Sequence, residues 1–223
     1  MVLPPSAEVI YNDLLDRIID LRLEPGIKIS ENSIGEEYNV SRSVVRNVFA
    51  RLSQIGFIEI LPQRGTFVTK IDLKYINSIL LMRLSIEKEM LYRFIEIDDK
   101  EDLLEYLRAN VKEQEAYKAQ GTYIDDFRKL DEEFHGIILK RGGVYDLSEL
   151  LKEHLLHLCR WRNVAVNNGF RISEIVEEHK AILESIETKN FKEINKIIVM
   201  HIENTISDTN SIKEQYRSYC VNL

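Results

Sequence analysis

The sequence contains little of several features that would define a protein class. Only two cysteines occur, Cys159 and Cys220, and their isolation excludes a disulfide framework and favours a reducing compartment. No apolar run approaches the roughly 20 residues that span a bilayer. The residues from Met1 to Pro5 have neither a basic start nor an apolar stretch, unlike a secretory signal. We therefore expect a cytoplasmic protein without a membrane partner.

The sequence also lacks the short motifs of common enzyme classes. It has no HExxH, no GxSxG and no phosphate-binding glycine loop. Internal repeats and low-complexity tracts are missing as well. The 223 residues are 44% hydrophobic and 30% charged, which is typical of a globular protein with one or two domains. These absences count against an enzyme.

Positive charge is scarce overall but locally concentrated. The formal net charge is −7, yet residues 40–70 contain only one acid, Glu59. The basic residues in that segment are Arg42, Arg46, Arg51, Arg64 and Lys70. An acidic protein with one basic segment can still present a docking face to nucleic acid.

The residues from Asn39 to Phe49 predict a helix with two different faces. Its apolar stripe, continued one turn further, consists of Val44, Val45, Val48 and Leu52. The opposite face has no acid and carries Arg42, Ser43, Arg46, Asn47 and Ala50. Such a face suits the DNA major groove, where Arg binds guanine or phosphate and Asn pairs with adenine. The alternative is a solvated amphipathic helix with two surface arginines.

The segments before this helix predict a helix-turn-helix. A first helix, capped by Ser6, has a buried stripe and ends at Glu24-Pro25-Gly26. The stripe consists of Ile10, Leu14, Ile18 and Leu21. A second helix, capped by Ser30 or Asn32, leads to a tight turn at Asn39-Val40, and Ser41 then caps the two-faced helix.

The segments after it predict a β-hairpin. Residues 57–61 and 66–69 are strand-like, and Arg64 lies in the turn between them. Helices followed by a hairpin form a winged helix, in which a cation on the wing would reach the minor groove or the phosphates. The alternative for Arg64 is a solvated turn residue.

The rest of the chain predicts an all-helical bundle. Helices are expected at 72–95, 99–119, 123–140, 144–166, 171–188 and 191–213, and a break in the first would give seven. The breaks between them are Asp98-Asp99, Gly121, Gly142-Gly143, Asn167-Asn168-Gly169 and Thr188-Lys189-Asn190. The predicted fold is mainly α. It has a winged helix-turn-helix in residues 1–70, a stiff connector at 70–73, and an antiparallel bundle of six or seven helices in residues 71–223.

Four residues of this bundle predict a metal site. Asp131 and His135 are four residues apart and share one helical face. His179 and His201 each lie beside an apolar stripe of another helix. One aspartate and three histidines, without a thiolate, match Zn²⁺, Ni²⁺ or Mn²⁺. The alternative for each histidine is a hydrogen-bonded core residue.

A second cluster, His154, His157 and Cys159, is a weaker candidate. It has no partner carboxylate at helical spacing on its C-terminal side, so packing or pocket lining is the favoured interpretation.

A set of linked motifs covers residues 8–70. They are Leu23-Glu24-Pro25-Gly26, Ser30-Glu31, Val40-Ser41-Arg42, Val45-Arg46, Leu52, Gly56-Phe57-Ile58 and Arg64-Gly65-Thr66-Phe67-Val68. The set resembles the N-terminal domain of the GntR family of bacterial transcription regulators. The resemblance implies that Arg42, Arg46, Arg64 and Gly65 contact operator DNA. Where the family commonly has Thr-Pro and Glu, this chain has Ser43-Val44 and Asn47, so we expect a different base preference.

The second half contains Asp131-x-x-Phe134-His135, Glu178-His179-x-x-Ile182, His201, and Arg83 with Glu87. These residues resemble the FCD ligand-binding domain of the FadR branch of that family. The resemblance implies that Asp131, His135, His179 and His201 hold a divalent metal, with Zn expected first. It also implies that an open coordination position meets the carboxylate of a small organic acid. The cation for that acid would be Arg83 or Arg160, with Arg162 as a third candidate, although each could instead form a structural ion pair.

The predicted protein is thus a ligand-responsive transcription regulator and not an enzyme. It would bind a palindromic operator as a homodimer, since a two-fold protein reads two half-sites. One alternative is a regulator that senses the metal itself. A less favoured one is a metal-dependent hydrolase, with Glu132 or Glu178 as its base.

Overall fold

A computed structural model describes residues 4–118, 125–141, 147–167, 171–208 and 214–222 of the chain. The chain divides into two compact units. The first comprises residues 1–73, 156–164 and 213–223, and the second comprises residues 74–155 and 165–212. The first unit thus includes two segments that are distant in sequence from the N-terminal residues.

The N-terminal residues of the first unit form three helices and a small sheet. The helices are α1 (Ala7–Ile19), α2 (Glu31–Tyr38) and α3 (Arg42–Gln54). The strands are β1 (Lys28–Ile29), β2 (Ile58–Leu61) and β3 (Gly65–Val68), arranged in the antiparallel order β1-β3-β2. Strands β2 and β3 form the expected hairpin, so the predicted winged helix-turn-helix is confirmed.

Apolar stripes on α1 and α3 form the core of this fold. The buried residues of the two stripes include Ile10, Leu14, Ile18, Val45, Val48 and Leu52. Burial of each such side chain stabilises the fold by about 1.5–3 kcal/mol. Because α3 buries this side, its opposite face is exposed, including Arg42, Ser43, Arg46 and Asn47.

Two of the three expected helix caps form. The Ser6 hydroxyl accepts a hydrogen bond from the Val9 amide at 3.3 Å, and that of Ser30 accepts one from the Asn32 amide at 3.2 Å. Ser41 precedes α3, but its side chain accepts no bond from a helix amide. The predicted side-chain cap at Ser41 is therefore wrong, and its hydroxyl lies 2.8 Å from that of Ser43 instead.

Helix α1 ends earlier than its apolar pattern predicts. It stops at Ile19, and the next residue but one, Leu21, has a left-handed backbone with φ of 62°. A hydrogen bond of 2.8 Å from the Leu23 amide to the Arg17 carbonyl closes the turn. Leu21 is consequently not part of the α1 stripe, and Pro25-Gly26 lies beyond the helix.

The connector after the wing is a strand. Strand β4 (Ile71–Asp72) pairs in parallel with β5 (Cys220–Val221) of the C-terminal segment. A 3-10 helix, Glu214–Tyr219, leads into β5. Backbone pairing with the C-terminal segment thus holds this connector, and its stiffness stays a prediction.

The second unit is built from six helices within the described residues. They are α4 (Leu73–Glu96), α5 (Glu101–Glu115), α6 (Asp125–Arg141), α7 (Leu147–Asn167), α8 (Ile172–Glu187) and α9 (Phe191–Asp208). Helix α4 is continuous, so the predicted count of six holds rather than seven. Helix α8 packs against α9 and α5, and α5 packs against α6. The predicted breaks at Gly121, Gly142-Gly143 and Asn168-Gly169, and residues 209–213, lie outside the described residues.

Helix α7 contributes to both units. Residues 156–164 belong to the first unit, where three side chains donate to main-chain carbonyls. Of these side chains, Arg160 donates to Thr69 at 2.6 Å and Asn163 to Ile19 at 2.8 Å. The third, His157, lies 2.7 Å from the Ile55 carbonyl. This part of α7 is therefore tied to the winged helix by polar contacts.

None of the helices in the described ranges combines the length and apolar character required to cross a bilayer.

Candidate metal centre and DNA-binding surface

Three histidine rings converge in the core of the second unit. His135 comes from α6, His179 from α8 and His201 from α9, and all three are buried. One donor atom from each lies within 4.8 Å of the other two. The Nε2 atoms of His135 and His179 are 3.3 Å apart. Nitrogens that bind zinc tetrahedrally at roughly 2.0–2.1 Å are about 3.3–3.4 Å apart, so this pair is spaced for one ion.

Asp131 lies beside two of these rings. Its Oδ1 is 3.9 Å from Nε2 of His135 and 3.7 Å from Nε2 of His179. The carboxylate is almost completely buried. The structure thus gathers the three predicted histidines and places Asp131, the fourth predicted ligand, beside two of them.

The outward nitrogen of each ring faces a buried acceptor. Nδ1 of His135 lies 3.0 Å from Glu87, and Nδ1 of His201 lies 2.7 Å from Glu178. Nδ1 of His179 lies 2.7 Å from the amide oxygen of Gln114. Metal-binding histidines characteristically donate their second ring nitrogen to such a partner, which fixes the orientation of the ring.

The tautomer of His179 follows from a directional chain of hydrogen bonds. Asn110 donates its Nδ2 to the main-chain carbonyl of Leu130 at 3.0 Å, so its Oδ1 faces Gln114. Gln114 donates its Nε2 to that oxygen at 2.7 Å, which turns its own Oε1 towards His179. An amide oxygen only accepts, so Nδ1 of His179 carries the proton and Nε2 carries a lone pair.

The other two rings carry their proton on the same nitrogen. An ionised carboxylate only accepts, so Nδ1 of His135 and of His201 also carries the proton in the neutral ring. The inward Nε2 lone pairs of His135 and His179 then face each other without a hydrogen between them. One proton shared by that pair would still leave Nε2 of His201, which is buried and has no hydrogen-bond partner among the residues that the structure describes. A metal ion would satisfy all three nitrogens.

The electrostatic surroundings favour an ionised Glu87 and a neutral His135. Burial alone would raise the pKa of Glu87, but Arg83 and His135 lower it well below its usual range. Burial lowers the pKa of His135, although Glu87 opposes the shift. His135 is therefore neutral near pH 7, which is the form that binds a metal.

The two arginines predicted for the effector lie in different units. Arg83 is buried in α4 and donates its Nε to Glu87 at 2.5 Å, so it reaches His135 through that carboxylate. Arg160 belongs to the first unit and donates both terminal nitrogens to Thr69. Effector binding by either residue stays a prediction.

The weaker histidine cluster forms ordinary structural contacts. His157 stacks on Phe57 with ring centroids 4.2 Å apart. Cys159 is buried with the core of the winged helix, and His154 lies 2.7 Å from the Tyr75 hydroxyl. The packing interpretation accounts for all three.

Gln114 provides a test of the metal site away from its ligands. Gln114→Leu removes the acceptor for Nδ1 of His179, so we expect the affinity for Zn²⁺ to fall about 10- to 100-fold. Gln114→Glu keeps an acceptor for Nδ1 of His179 and should retain most of the affinity for Zn²⁺. Competition with a chromophoric chelator measures both variants. Equal affinities of wild type and Gln114→Leu would contradict the assigned role.

The predicted DNA-reading face of α3 is exposed, and a carboxylate organises it. Arg46 places Nε and Nη2 each 3.1 Å from Glu31, and Arg42 places Nη2 at 3.2 Å from the same carboxylate. These contacts lower the pKa of Glu31, chiefly through the hydrogen bond from Arg46. Glu31, the first residue of α2, thus holds both arginines together on one surface.

The wing residues are also placed as expected. Arg64 is exposed in the turn between β2 and β3, and Gly65 begins β3 with φ of 114°. Ser43 and Asn47 are exposed beside the arginines on α3. DNA contact by these six residues remains a prediction; five of them are exposed, and Gly65 is half-buried.

Two residues of these sites escaped the sequence reasoning. Gln114 continues the buried stripe of Leu104, Leu107 and Val111 on α5, and a polar residue at that position was the available signal. Glu31 was visible in its motif, but only the fold reveals that it meets two arginines of another helix.

Comparison with known proteins identifies the two domains in which these candidate sites lie. Residues 6–68 match the family model described as "Bacterial regulatory proteins, gntR family", and residues 78–204 match the FCD domain. The HTH-type transcriptional repressor RspR of Escherichia coli is 22% identical over 211 residues, covering 95% of this chain and 92% of RspR. The uncharacterized HTH-type transcriptional regulator YdhC of Bacillus subtilis is 26% identical, covering 92% and 91%.

Solved structures show the same fold. E. coli McbR/YncC aligns with a TM-score of 0.70 at 17% identity, covering 97% of this chain and 100% of that one. A putative GntR regulator from Rhodococcus sp. RHA1 aligns with a TM-score of 0.73 at 18% identity, covering 93% and 99%. These families and relatives are transcriptional regulators, which are not enzymes. The chain belongs to the GntR family of bacterial regulators, in the FadR-like branch that joins a DNA-binding winged helix to an FCD domain.

Proposed function

We propose that this transcription regulator binds a palindromic operator as a homodimer and responds to a small organic acid at a metal centre. Asp131, His135, His179 and His201 would hold the metal. The main support is the inward side of the three rings. Nε2 of His135 and Nε2 of His179 lie 3.3 Å apart, and Nε2 of His201 is buried without a hydrogen-bond partner in the described part of the chain.

The donor set fits a divalent transition metal. Three imidazoles and one carboxylate are borderline and hard ligands, so Zn²⁺ is the first candidate, with Ni²⁺ or Mn²⁺ as alternatives. When bound, the ion would supply an open coordination position for an anionic ligand. The protein contributes the ring orientations, which Glu87, Gln114 and Glu178 fix from outside.

Arg83 supports an acid as the effector. Its guanidinium is buried in the same unit as the histidines and already bonds a carboxylate, that of Glu87. A guanidinium fork suits carboxylate geometry, so it is our preferred cation for the effector. Arg160 is less favoured, since it belongs to the first unit and not to the unit that contains the histidines.

Regulation requires that the acid discriminate between two arrangements of the dimer. Two winged helices read half-sites about one helical turn, or a multiple of it, apart. An acid that binds both arrangements equally shifts nothing, so it must prefer either the DNA-competent or the incompetent one. A regulator of chromosomal DNA works in the cytoplasm, which is the location we propose.

Native mass spectrometry with elemental analysis of the purified protein tests this proposal. We expect a dimer that carries about one metal ion per chain. Adding mono-, di- and tricarboxylates to the Zn²⁺-loaded protein should reveal an acid that changes affinity for an operator selected from random DNA. Chelation alone controlling DNA binding would favour metal sensing, and turnover without DNA affinity would favour a hydrolase. A protein that takes up no metal under any loading condition would overturn the proposal.

A further inference from the structure

Lys28 lies on the wing, although it is distant in sequence from the wing turn. It is on β1, directly opposite Phe67 of β3, and its ammonium sits 5.8 Å from the centroid of that ring. Its stem extends along the sheet to Gly65, where a Cβ would approach Cε of Lys28 to 2.5 Å and Nζ to 3.1 Å. The end of the Lys28 side chain therefore occupies the space that a Cβ at position 65 would need.

The charge of Lys28 is not neutralised by an ion pair within the described part of the chain, and neither is that of Arg64. Arg42 and Arg46 differ in this respect, because both bond Glu31. The nearest acid in the same row of the sheet is Glu59, opposite Phe67 on the other side. Glu59 lies two strands away from Lys28, and the two side chains form no ion pair in the described part of the chain.

We propose that Lys28 and Arg64 form a two-cation clamp for the DNA backbone, in which Lys28 binds a phosphate beside the groove that the wing enters. The ring of Phe67 and the bare Cα of Gly65 hold the lysine stem, which reduces the entropy lost on binding. A lysine acts as a point charge and suits phosphate rather than a base edge. The inference rests on the DNA-binding function of the winged helix.

Gly65 acquires a second role from this arrangement. The resemblance to the family assigns it to DNA contact, and the structure adds that any side chain there would displace Lys28. Its φ of 114° is also unfavourable for other residues. Lys28 and Gly65 should therefore act as one unit in DNA binding.

The salt dependence of binding to a random-sequence duplex tests the clamp without knowledge of the operator. Lys28→Met keeps an apolar stem on Phe67 but removes the charge. Between about 50 and 200 mM salt, we expect the slope of log K against log[salt] to become shallower by about 0.9 per bound chain. Lys28→Arg should keep the wild-type slope. Lys196→Met, an exposed lysine of the second unit, controls for the loss of one charge.

The outcomes separate this inference from the function on which it rests. A wild-type protein that failed to bind duplex DNA would contradict the function itself. If the wild-type protein binds duplex DNA with a steep salt dependence and Lys28→Met shows the same slope of log K against log[salt], the clamp is wrong but the DNA-binding function stands. Gly65→Ala should also flatten the slope in the wild type but have no further effect on it in a Lys28→Ala background. An equal flattening by Gly65→Ala in both backgrounds would refute the shared action.

Discussion

Replacing His179 with alanine is expected to abolish metal binding. The ring is completely buried, and its Nε2 is the donor nearest to both His135 and Asp131. Without it, two histidines and one carboxylate remain as possible ligands. The hydrogen bond from Nδ1 of His179 to Gln114 is also lost. The metal content of the purified protein should fall from about one ion per chain to a small fraction of that value.

Thermal unfolding provides an independent measure of the same loss. A metal at 100 times its Kd stabilises the folded protein by about 2.7 kcal/mol, so a chelator should lower the Tm of the wild type by roughly 5–10 °C. The His179→Ala variant should unfold at one temperature with or without chelator. Its Tm should also lie below that of the metal-free wild type, since the missing ring leaves a cavity beside Phe134, on which it stacks at 4.2 Å.

Two further variants make this prediction decisive. His179→Gln fills more of the cavity while removing the imidazole ring and its nitrogen lone pair, so it serves if the alanine variant does not fold. His154→Ala removes a histidine of the same unit whose contact is the Tyr75 hydroxyl, and it should retain the full metal content and the chelator response. If both His179 variants kept their metal, the assigned centre would be wrong.

The parts of the fold that follow local patterns were predictable from the sequence. Val45, Val48 and Leu52 recur at helical spacing, and they are buried because a helix with that stripe can bury only that side. The same logic placed His179 and His201 at the apolar faces of their helices, and so inside the unit. Leu21 shows the limit of the pattern, since a left-handed turn ended α1 before the stripe was complete.

Long-range pairings were not predictable from local patterns. Nothing near Ile71 indicates that it pairs with Cys220, and nothing near Gln114 indicates that it orients His179, 65 residues away. Such contacts depend on which helices and strands become neighbours, and spacing along one element does not specify that. The four proposed ligands could be named in advance because their motifs resemble those of the FCD domain, whereas the residues that orient the histidine rings required the fold.

Replacing Arg46 with methionine is expected to weaken operator binding by roughly 10- to 100-fold, with a smaller effect on random DNA. Its side chain is two-thirds exposed, and its Nε and Nη2 form a fork on the carboxylate of Glu31. That fork matches the two acceptors of guanine in the major groove equally well. An exposed ion pair contributes little to stability, so Arg46 loses little free energy when it leaves Glu31 to bind DNA.

Glu31 must be considered in the same experiment. Removal of Arg46 alone leaves a carboxylate on the DNA-binding surface, and its repulsion of phosphates could imitate the loss of a contact. Arg42 still pairs with Glu31 at 3.2 Å, so we expect this repulsion to be the smaller effect. A Glu31→Gln/Arg46→Met double variant should therefore recover only a minor part of the lost affinity.

The measurement is a fluorescence anisotropy titration of an operator that the wild-type protein selects from random duplexes, alongside a scrambled duplex. Arg93→Met, an exposed and paired arginine of the second unit, controls for net charge and should bind the operator as the wild type does. A base contact adds specificity and a phosphate contact does not. Arg46→Met should therefore reduce the difference in affinity between the operator and the scrambled duplex. Full recovery in the double variant would instead mean that Arg46 acts by masking Glu31, and the reading role would pass to Arg42 and Asn47.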